Sequence, residues 1–175
     1  MIYYDLEEVL LKVDRMFCEE RFIVARRYLL EILEDEPDCG QVHSKLGWLY
    51  WARLDDFTKA EEHFRLALKF APEFPLTYYN YALFLNSVND VKGLRELLAK
   101  AMSVRSVGRY FVHSELAKSY EMNGEFTEAF EQYRLACNCA LMAHESEQAR
   151  SNVNRMKQKM HDDFIRNEYY SEARS

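Results

Sequence analysis

Proline and glycine are scarce in this chain, which contains only 3 Pro and 5 Gly among 175 residues. Since these two residue types punctuate helices and form turns, their scarcity argues against long loops and disorder. Hydrophobic residues make up 49% of the sequence. A chain of this length and composition is expected to form one ordered, helix-rich domain.

Positive charge is also in short supply. The sequence has 23 Lys and Arg against 29 Asp and Glu, which gives a formal net charge of -6 at pH 7. No cluster of five or six basic residues offsets this balance locally, so a phosphate backbone would meet net repulsion. We therefore expect no nucleic-acid partner.

Long apolar runs are missing as well. No segment approaches the roughly 18 uncharged apolar residues that a membrane-spanning helix needs. The first residues, 1–14, lack a basic stretch followed by an apolar one, which a secretory leader would show. The expectation is a soluble cytoplasmic protein without a membrane segment.

Cysteines are few and unevenly spaced, at Cys18, Cys39, Cys137 and Cys139. This pattern is typical of reduced, partly buried thiols rather than of a disulfide framework. Cys137 and Cys139 are the only close pair. Two residues apart on one helix they would point to different faces, which is poor geometry for a shared metal.

What the sequence does contain is a repeat. Small or apolar residues recur at successive intervals of 35, 34 and 35 residues in three parallel series. The series are Ala25, Ala60, Leu94 and Ala129; Leu29, Phe64, Leu98 and Tyr133; and Ile32, Ala67, Ala101 and Ala136. A fixed period of this length is the signature of stacked helical hairpins.

The segment 43–72 shows the repeat most clearly. It contains Leu46, Gly47 and Tyr50, and then Ala60, Phe64, Ala67 and Pro72. This spacing resembles one tetratricopeptide repeat, whose pattern is W-x2-L-G-x2-Y, then A-x3-F, then P. Two departures are visible: His43 stands at the Trp position, and the turn between Tyr50 and Ala60 is one residue longer than usual.

The resemblance implies an all-α fold, a right-handed superhelical array of about four hairpins with a C-terminal capping helix. The hairpins are expected at about 5–39, 40–74, 75–108 and 109–143, and the capping helix at about 145–167, within a single domain 1–175. The apolar stripe of the capping helix would consist of Val153, Met156, Met160 and Phe164. Small residues at Gly47, Ala60 and Ala67 would let the two helices of a hairpin approach closely.

The first helix fits the pattern poorly, because its apolar residues are spread almost all round it. A helix that is apolar on more than one face must bury more than one face. It either caps the stack loosely or mediates self-association, so a homodimer through the N-terminal helix is one expected partnership.

Catalytic and metal-binding motifs are lacking. The sequence has no HExxH, no P-loop, no GxSxG and no Gly-rich phosphate loop, and its five histidines are scattered, with no two at i, i+4 spacing. Helical arrays mainly provide binding surfaces. We expect no enzymatic activity, no cofactor and no metal, and instead a protein or peptide ligand.

In the family that the sequence resembles, ligands usually lie along the first helices of successive hairpins. The corresponding residues of this chain, one turn away from the packed stripe, form the predicted groove. They are Ser44, Lys45, Trp48 and Trp51 in the second hairpin; Leu76, Tyr79, Asn80, Leu83 and Asn86 in the third; and Phe111, Ser114, Glu115, Lys118 and Glu121 in the fourth. Aromatic residues with polar tips are common anchors of peptide-binding surfaces.

Two interpretations of the aromatic groove residues stay open at this point. Trp48, Trp51, Tyr79 and Leu83 either face a ligand or belong to the core, since aromatics at helical spacing often pack internally. Tetratricopeptide co-chaperones that hold the acidic tail of heat-shock chaperones use Lys, Asn and Arg at set positions. Only Asn80 agrees with that set, and Glu115 would repel a carboxylate.

The sequence thus favours a non-enzymatic adaptor or scaffold that holds a peptide or protein segment in a groove. Two alternatives remain. One is a small cytoplasmic chaperone, similar in size and charge to the repeat-containing chaperones of bacterial type III secretion. The other is a purely structural homo-oligomeric scaffold.

Overall fold

A computed structural model describes the backbone of residues 5–172 and the side chains of residues 5–164. Every regular element in this range is an α-helix. In chain order the helices are α1 Leu6–Cys18, α2 Phe22–Asp35, α3 Gly40–Leu54, α4 Phe57–Phe70, α5 Pro75–Ser87, α6 Val91–Ala101, α7 Arg109–Met122, α8 Phe126–Cys139 and α9 Ala143–Glu172. The all-α prediction is confirmed.

The chain divides into two compact units, Met1–Asn89 and Asp90–Ser175. The first unit contains helices α1 to α5 and the second contains α6 to α9. In the first unit α3 packs against α2, α4 and α5. In the second unit α7, α8 and α9 pack in sequence. That both units form the single domain expected from the sequence stays a prediction.

Short polar residues set where several helices begin. Asp5, Asp56 and Asp90 occupy the N-cap positions of α1, α4 and α6. Each side chain accepts a hydrogen bond from a backbone N–H two or three residues later. Such a bond satisfies a donor that the first helical turn leaves without a partner, and stabilises the helix by about 1 kcal/mol.

All twelve residues of the three repeated series are buried, with at most 1% of their surface exposed. The series therefore mark the buried side of α2, α4, α6 and α8. Tyr78 and Tyr81 are buried as well, and the rings of Phe64 and Tyr81 stack at 5.1 Å. Burial of such side chains supplies most of the stability of packed helices. The residues that repeat in the sequence are therefore the ones that stabilise the fold.

Two glycines allow α3 and α4 to lie close together. A Cβ added to Gly47 would stand 2.7 Å from Cδ1 of Phe64. A Cβ added to Gly40 would stand 2.6 Å from the backbone nitrogen of Ala71. The first contact agrees with the predicted small-residue position, whereas the second closes the far end of the hairpin and was not foreseen.

The first helix buries a single face. Val9, Val13 and Met16 are buried, but Leu11 is 63% exposed. The apolar residues that spread round α1 in the sequence are thus not all covered within the described chain.

The last helix is longer than predicted, since it begins at Ala143 rather than about 145 and continues to Glu172 rather than about 167. Glu145 accepts hydrogen bonds from the backbone N–H groups of Leu141 and Met142, which supports the earlier start. Met156 is fully buried against Ala117, Ala129 and Tyr133 of α7 and α8.

The predicted apolar stripe of α9 is only partly correct. Phe164, its last member, is 60% exposed. Phe164 lies beyond the part of α9 that packs against α8. The first residue of α8 is Phe126, and its ring already lies 5.4 Å from the ammonium of Lys159. Residues that follow Lys159 along α9 have passed the end of α8.

Glu121 joins the end of α7 to α9. Its carboxylate accepts hydrogen bonds from Arg155 at 2.7 Å, from Lys159 at 2.9 Å and from the Tyr133 hydroxyl at 2.8 Å. Burial alone would raise the pKa of Glu121, but the hydrogen bonds from Arg155, Lys159 and Tyr133 prevail and lower it to about 2. Glu121 was predicted to face the groove; instead its side chain is only 14% exposed and serves this junction.

Candidate functional site

Three helices of the first unit surround a pocket of about 430 Å³. They are α1, α3 and α5, which are the first helices of their hairpins, as the resemblance implied for a binding surface. The pocket is lined by Asp14, Phe17, Cys18, Lys45, Trp48, Leu76 and Asn80. Lys45, Trp48, Leu76 and Asn80 were predicted from the sequence, whereas the three residues of α1 were not.

An aromatic pair forms one wall of the pocket. The rings of Phe17 and Trp48 are 4.8 Å apart, centre to centre, and tilted by 34°. The guanidinium of Arg53 lies 5.6 Å from the Trp48 ring and 4.9 Å from the ring of Phe22. Trp48 is half-buried, and its contacts with Phe17 and Arg53 restrain the ring where it lines the pocket.

A buried cation lies beside this wall. The side chain of Lys45 is only 8% exposed, and its ammonium donates to Asp14, whose side chain is 52% exposed. An ammonium has three N–H donors, and Asp14 is the one polar partner of Lys45 within the described part of the chain. Burial of a charge is tolerated where it is paired, so Asp14 stabilises Lys45 at this position and the remaining donors can serve a ligand.

Asn80 contributes an amide to the lining of the pocket. It is half-buried on α5, and its side chain makes no hydrogen bond to another described residue. An amide carries two donor hydrogens and one acceptor oxygen. Asn80 can therefore donate to a ligand and accept from it at the same time.

The other predicted groove residues of the first unit lie outside this pocket. Trp51 is half-buried, and its ring lies nearly perpendicular to that of Phe84 with the ring centres 6.3 Å apart, so it packs between α3 and α5. Tyr79 and Asn86 are half-buried, while Leu83 is 47% exposed on α5. Of the four residues for which groove and core were both open, Leu83 is the exposed one.

Ser44 does not reach any surface, which corrects its predicted place in the groove. It is fully buried, and its hydroxyl has no hydrogen-bond partner in the described structure. The cause is the crowding of α3, which packs against α2, α4 and α5 and buries nine of its fifteen residues. On such a helix the position one turn from the packed stripe is enclosed too.

In the second unit the predicted residues lie on α7. Phe111 is half-buried and Lys118 is exposed. Ser114 and Glu115 are buried, with 8% and 4% of their surfaces exposed. Lys118 donates to the carboxylate of Glu115 at 2.6 Å. The charge of Glu115 is thus paired within its own helix, and the burial of this residue departs from the groove position predicted from the sequence.

Sequence spacing did not reveal a histidine pair between α3 and α4. The Nδ1 atoms of His43 and His63 are 2.8 Å apart. His63 also stacks on Tyr50 at 5.4 Å. Burial, together with the neighbouring His43 and Lys59, lowers the pKa of His63 to about 4. The signal that could have found the pair is His43 itself, a polar residue at the Trp position of the repeat.

Among residues 5–164, no three His, Cys, Asp or Glu side chains come together in a way that would hold a metal ion. The four cysteines are unpaired thiols, of which Cys18 is exposed and the others are half-buried. No helix in the described part of the chain combines the length and the apolar character required to cross a bilayer.

Comparison with known proteins adds structural relatives only. No protein-family model and no curated protein matches the sequence. PilF of Pseudomonas aeruginosa superposes with a TM-score of 0.75 at 16% identity, over 94% of this chain and 73% of that one. PilW, a type IV pilus biogenesis factor, gives 0.69 at 16% identity, over 90% and 77%.

MamA of Desulfovibrio magneticus RS-1 gives a TM-score of 0.71 at 17% identity, over 95% of this chain and 91% of that one. At such low identity the likeness concerns the fold alone. Together with the buried 34- to 35-residue repeat, it confirms that this chain has the helical-hairpin fold of the tetratricopeptide-repeat proteins.

Proposed function

We propose that this chain is a non-enzymatic protein-interaction module whose first unit holds a peptide or protein segment in the pocket between α1, α3 and α5. The observation that carries the proposal is the combination of an apolar wall with polar groups that have bonding capacity to spare. Pockets of a few hundred cubic ångströms with few polar groups are typical ligand sites. Helical arrays act mainly as binding surfaces, so this role is in keeping with the fold.

The apolar part of the pocket is suited to one large side chain of the ligand. Phe17, Trp48 and Leu76 offer ring and methyl surfaces, and burial of an aliphatic or aromatic side chain contributes about 1.5–3 kcal/mol. Trp48 is held by Phe17 and Arg53 before any ligand arrives. A preorganised anchor loses little side-chain entropy on binding.

The polar part of the pocket is suited to peptide backbone. The amide of Asn80 can accept from a backbone N–H and donate to a backbone C=O, and the remaining N–H donors of Lys45 can bind a second carbonyl. These groups do not depend on the ligand's side chains. Affinity would thus come from backbone contacts and the apolar anchor, while the anchor's size sets the selectivity.

The charge of the pocket argues for a neutral rather than an acidic segment. The ammonium of Lys45 is already paired with Asp14. A ligand carboxylate would have to displace Asp14 or share the ammonium with it, and Asp14 would repel it. The pocket consequently differs from the basic sites that hold acidic chaperone tails.

Other residues of the predicted groove can contact a ligand where their side chains reach solvent. Leu83 is exposed on α5 and Lys118 on α7, so each is available in its own unit. Tyr79, Asn86, Trp51 and Phe111 are half-buried and would contribute mainly through packing. Ser44 is excluded because it is enclosed.

A selection from a random peptide library tests the proposal. Peptides would be selected on the full chain, and the enriched peptides would then be titrated against the Trp48→Ala and Asn80→Ala variants. We expect enriched peptides that share one large apolar residue and show no enrichment of Asp or Glu. If the two variants retain every selected peptide and melt like the wild type, the pocket is not the binding site.

A further inference from the structure

The outer side of α2 carries an exposed stripe that the proposed pocket does not use. Ala25, Leu29 and Ile32 point into the first unit and are buried. Ile23, by contrast, is 59% exposed and Leu30 is 37% exposed. They border a shallow concavity of about 380 Å³, lined by Ile23, Val24, Arg26, Arg27, Leu30, Glu31 and Glu34.

The charges along this stripe are ordered. Arg26 and Arg27 precede Leu30, whereas Glu31 and Glu34 follow it. Within the helix, Arg27 and Glu31 form one long ion pair of 3.6 Å; Glu34 has no partner in the described chain. Along this face the apolar Ile23 and Val24 come first, and they are followed by a basic pair, by Leu30 and then by two acidic residues.

Such a face is complementary to itself in one orientation only. If two copies lie antiparallel, the basic pair of each meets the acidic residues of the other, and Leu30 of one copy meets Leu30 of the other near the two-fold axis. A parallel arrangement would set like charges opposite each other. Closed two-fold symmetry is the commonest form of homo-oligomer and needs a surface of this kind.

We propose that the exposed stripe of α2 is a self-association surface, on which a second copy of this chain docks its own α2 in antiparallel orientation. The proposal is independent of the pocket between α1, α3 and α5. It also differs from the sequence-based expectation of a homodimer through α1, because the self-complementary order of charges is found on α2.

The size of the surface sets the expected strength. A helix of 14 residues is about 21 Å long, and only two large apolar side chains are exposed along the stripe. Such a small patch lies at the weak end of specific interfaces. We therefore expect a dimer with a dissociation constant on the order of 10–100 µM, which is weakened by salt.

Sedimentation velocity on the full chain over about 5 to 500 µM tests self-association by mass action. We expect the wild type to pass from monomer to dimer in this range. Leu30→Glu places two carboxylates together at the axis and should weaken the dimer at least about tenfold. Leu11→Glu is the matched control on α1, where it adds the same charge at an exposed leucine, and should leave the dimer unchanged.

Charge reversal then tests the orientation. Arg27→Glu and Glu34→Arg should each weaken the dimer, and the double variant should restore it, because the opposite charges again face each other in the antiparallel pair. Circular dichroism melts verify that all variants fold. The proposal is overturned if the wild type stays monomeric at the highest concentration, if Leu11→Glu and not Leu30→Glu abolishes the dimer, or if the double variant fails to recover it.

Discussion

His43 and His63 face each other across α3 and α4, with their Nδ1 atoms 2.8 Å apart. The Nε2 atom of His43 lies 3.0 Å from the carbonyl oxygen of Pro37. Because a carbonyl can only accept, Nε2 of His43 carries the hydrogen, and its Nδ1 accepts from the Nδ1–H of His63. If both rings were protonated, two N–H groups would point at each other.

This arrangement predicts a loss of stability in mild acid. The pKa of His63 is lowered from 6.5 to about 4 in the folded chain. Between these values the unfolded chain binds more protons, so stability falls as the pH decreases from about 6.5 towards 4. With allowance for solvent screening of a partly exposed ring, we expect a loss of about 1–2 kcal/mol.

Denaturant titrations at several pH values, with His63→Gln as the control, measure this effect. Glutamine retains a hydrogen-bond donor for His43 but does not titrate in this range. The variant should lose less stability than the wild type between neutral pH and pH 4. Equal losses in the two proteins would show that His63 does not govern the acid response.

The close approach of α3 and α4 predicts that Gly40 and Gly47 are intolerant of side chains. Gly47→Leu should lower the free energy of unfolding by about 1–3 kcal/mol, because the added side chain would meet the ring of Phe64. Gly40→Ala should be comparably harmful, since its Cβ would meet backbone atoms, which cannot rotate away.

A third glycine provides the comparison in thermal melts. At Gly93 an added Cβ would meet only the side chain of Asp90, and alanine improves intrinsic helix propensity there by up to about 1 kcal/mol. Gly93→Ala should thus cost less than Gly40→Ala. The packing account fails if the melting temperatures rank in the reverse order.

The junction at Glu121 predicts that α9 loosens when this carboxylate is neutralised. Glu121→Gln removes the charge that Arg155 and Lys159 share and should lower stability by about 1–3 kcal/mol. Because the pKa of Glu121 is lowered to about 2, its contribution is fully present above its unfolded pKa near 4.5 and is lost as the pH falls through about 2.

Hydrogen exchange along α9 is the corresponding measurement. The amides around Arg155 and Lys159 should exchange faster in Glu121→Gln than in the wild type. Glu131→Gln is the control. Glu131 pairs with Arg134 on the exposed surface of α8, and such pairs contribute little to stability. Unchanged exchange rates in α9 would mean that the packing of Met156 is sufficient to hold α9 against α7 and α8.

The repeat made most of the fold predictable. The twelve residues at 34- and 35-residue intervals are all buried, which is why the all-α fold could be predicted from the period. The burial of residues near the end of α9 was less predictable, because it depends on where α8 begins. That is a matter of tertiary packing, which the pattern within α9 does not contain. Gly40 was missed since its role depends on the path of the chain after α4.

The pocket was predictable only in part. Lys45, Trp48 and Asn80 follow from their places in the repeat, but Asp14, Phe17 and Cys18 lie on α1, where the repeat pattern is weak. Ser44 and Glu115 were expected to line the groove, yet they are buried. Periodicity identifies the side of a helix that packs within its hairpin, but it does not show which neighbouring hairpins cover the remaining sides.

The two tryptophans provide the most direct measurement of the central claim. The chain has 2 Trp, and only Trp48 lines the pocket. The Trp51→Phe substitution leaves Trp48 as the remaining tryptophan, so the tryptophan fluorescence of this variant reports directly on the pocket. Titration with a library-selected peptide should change the Trp48 emission with a micromolar dissociation constant, and Asn80→Ala in the same background should weaken binding about tenfold or more. Binding by calorimetry without a change in Trp48 emission, and with full affinity in Asn80→Ala, would contradict the assignment of the pocket as the ligand site.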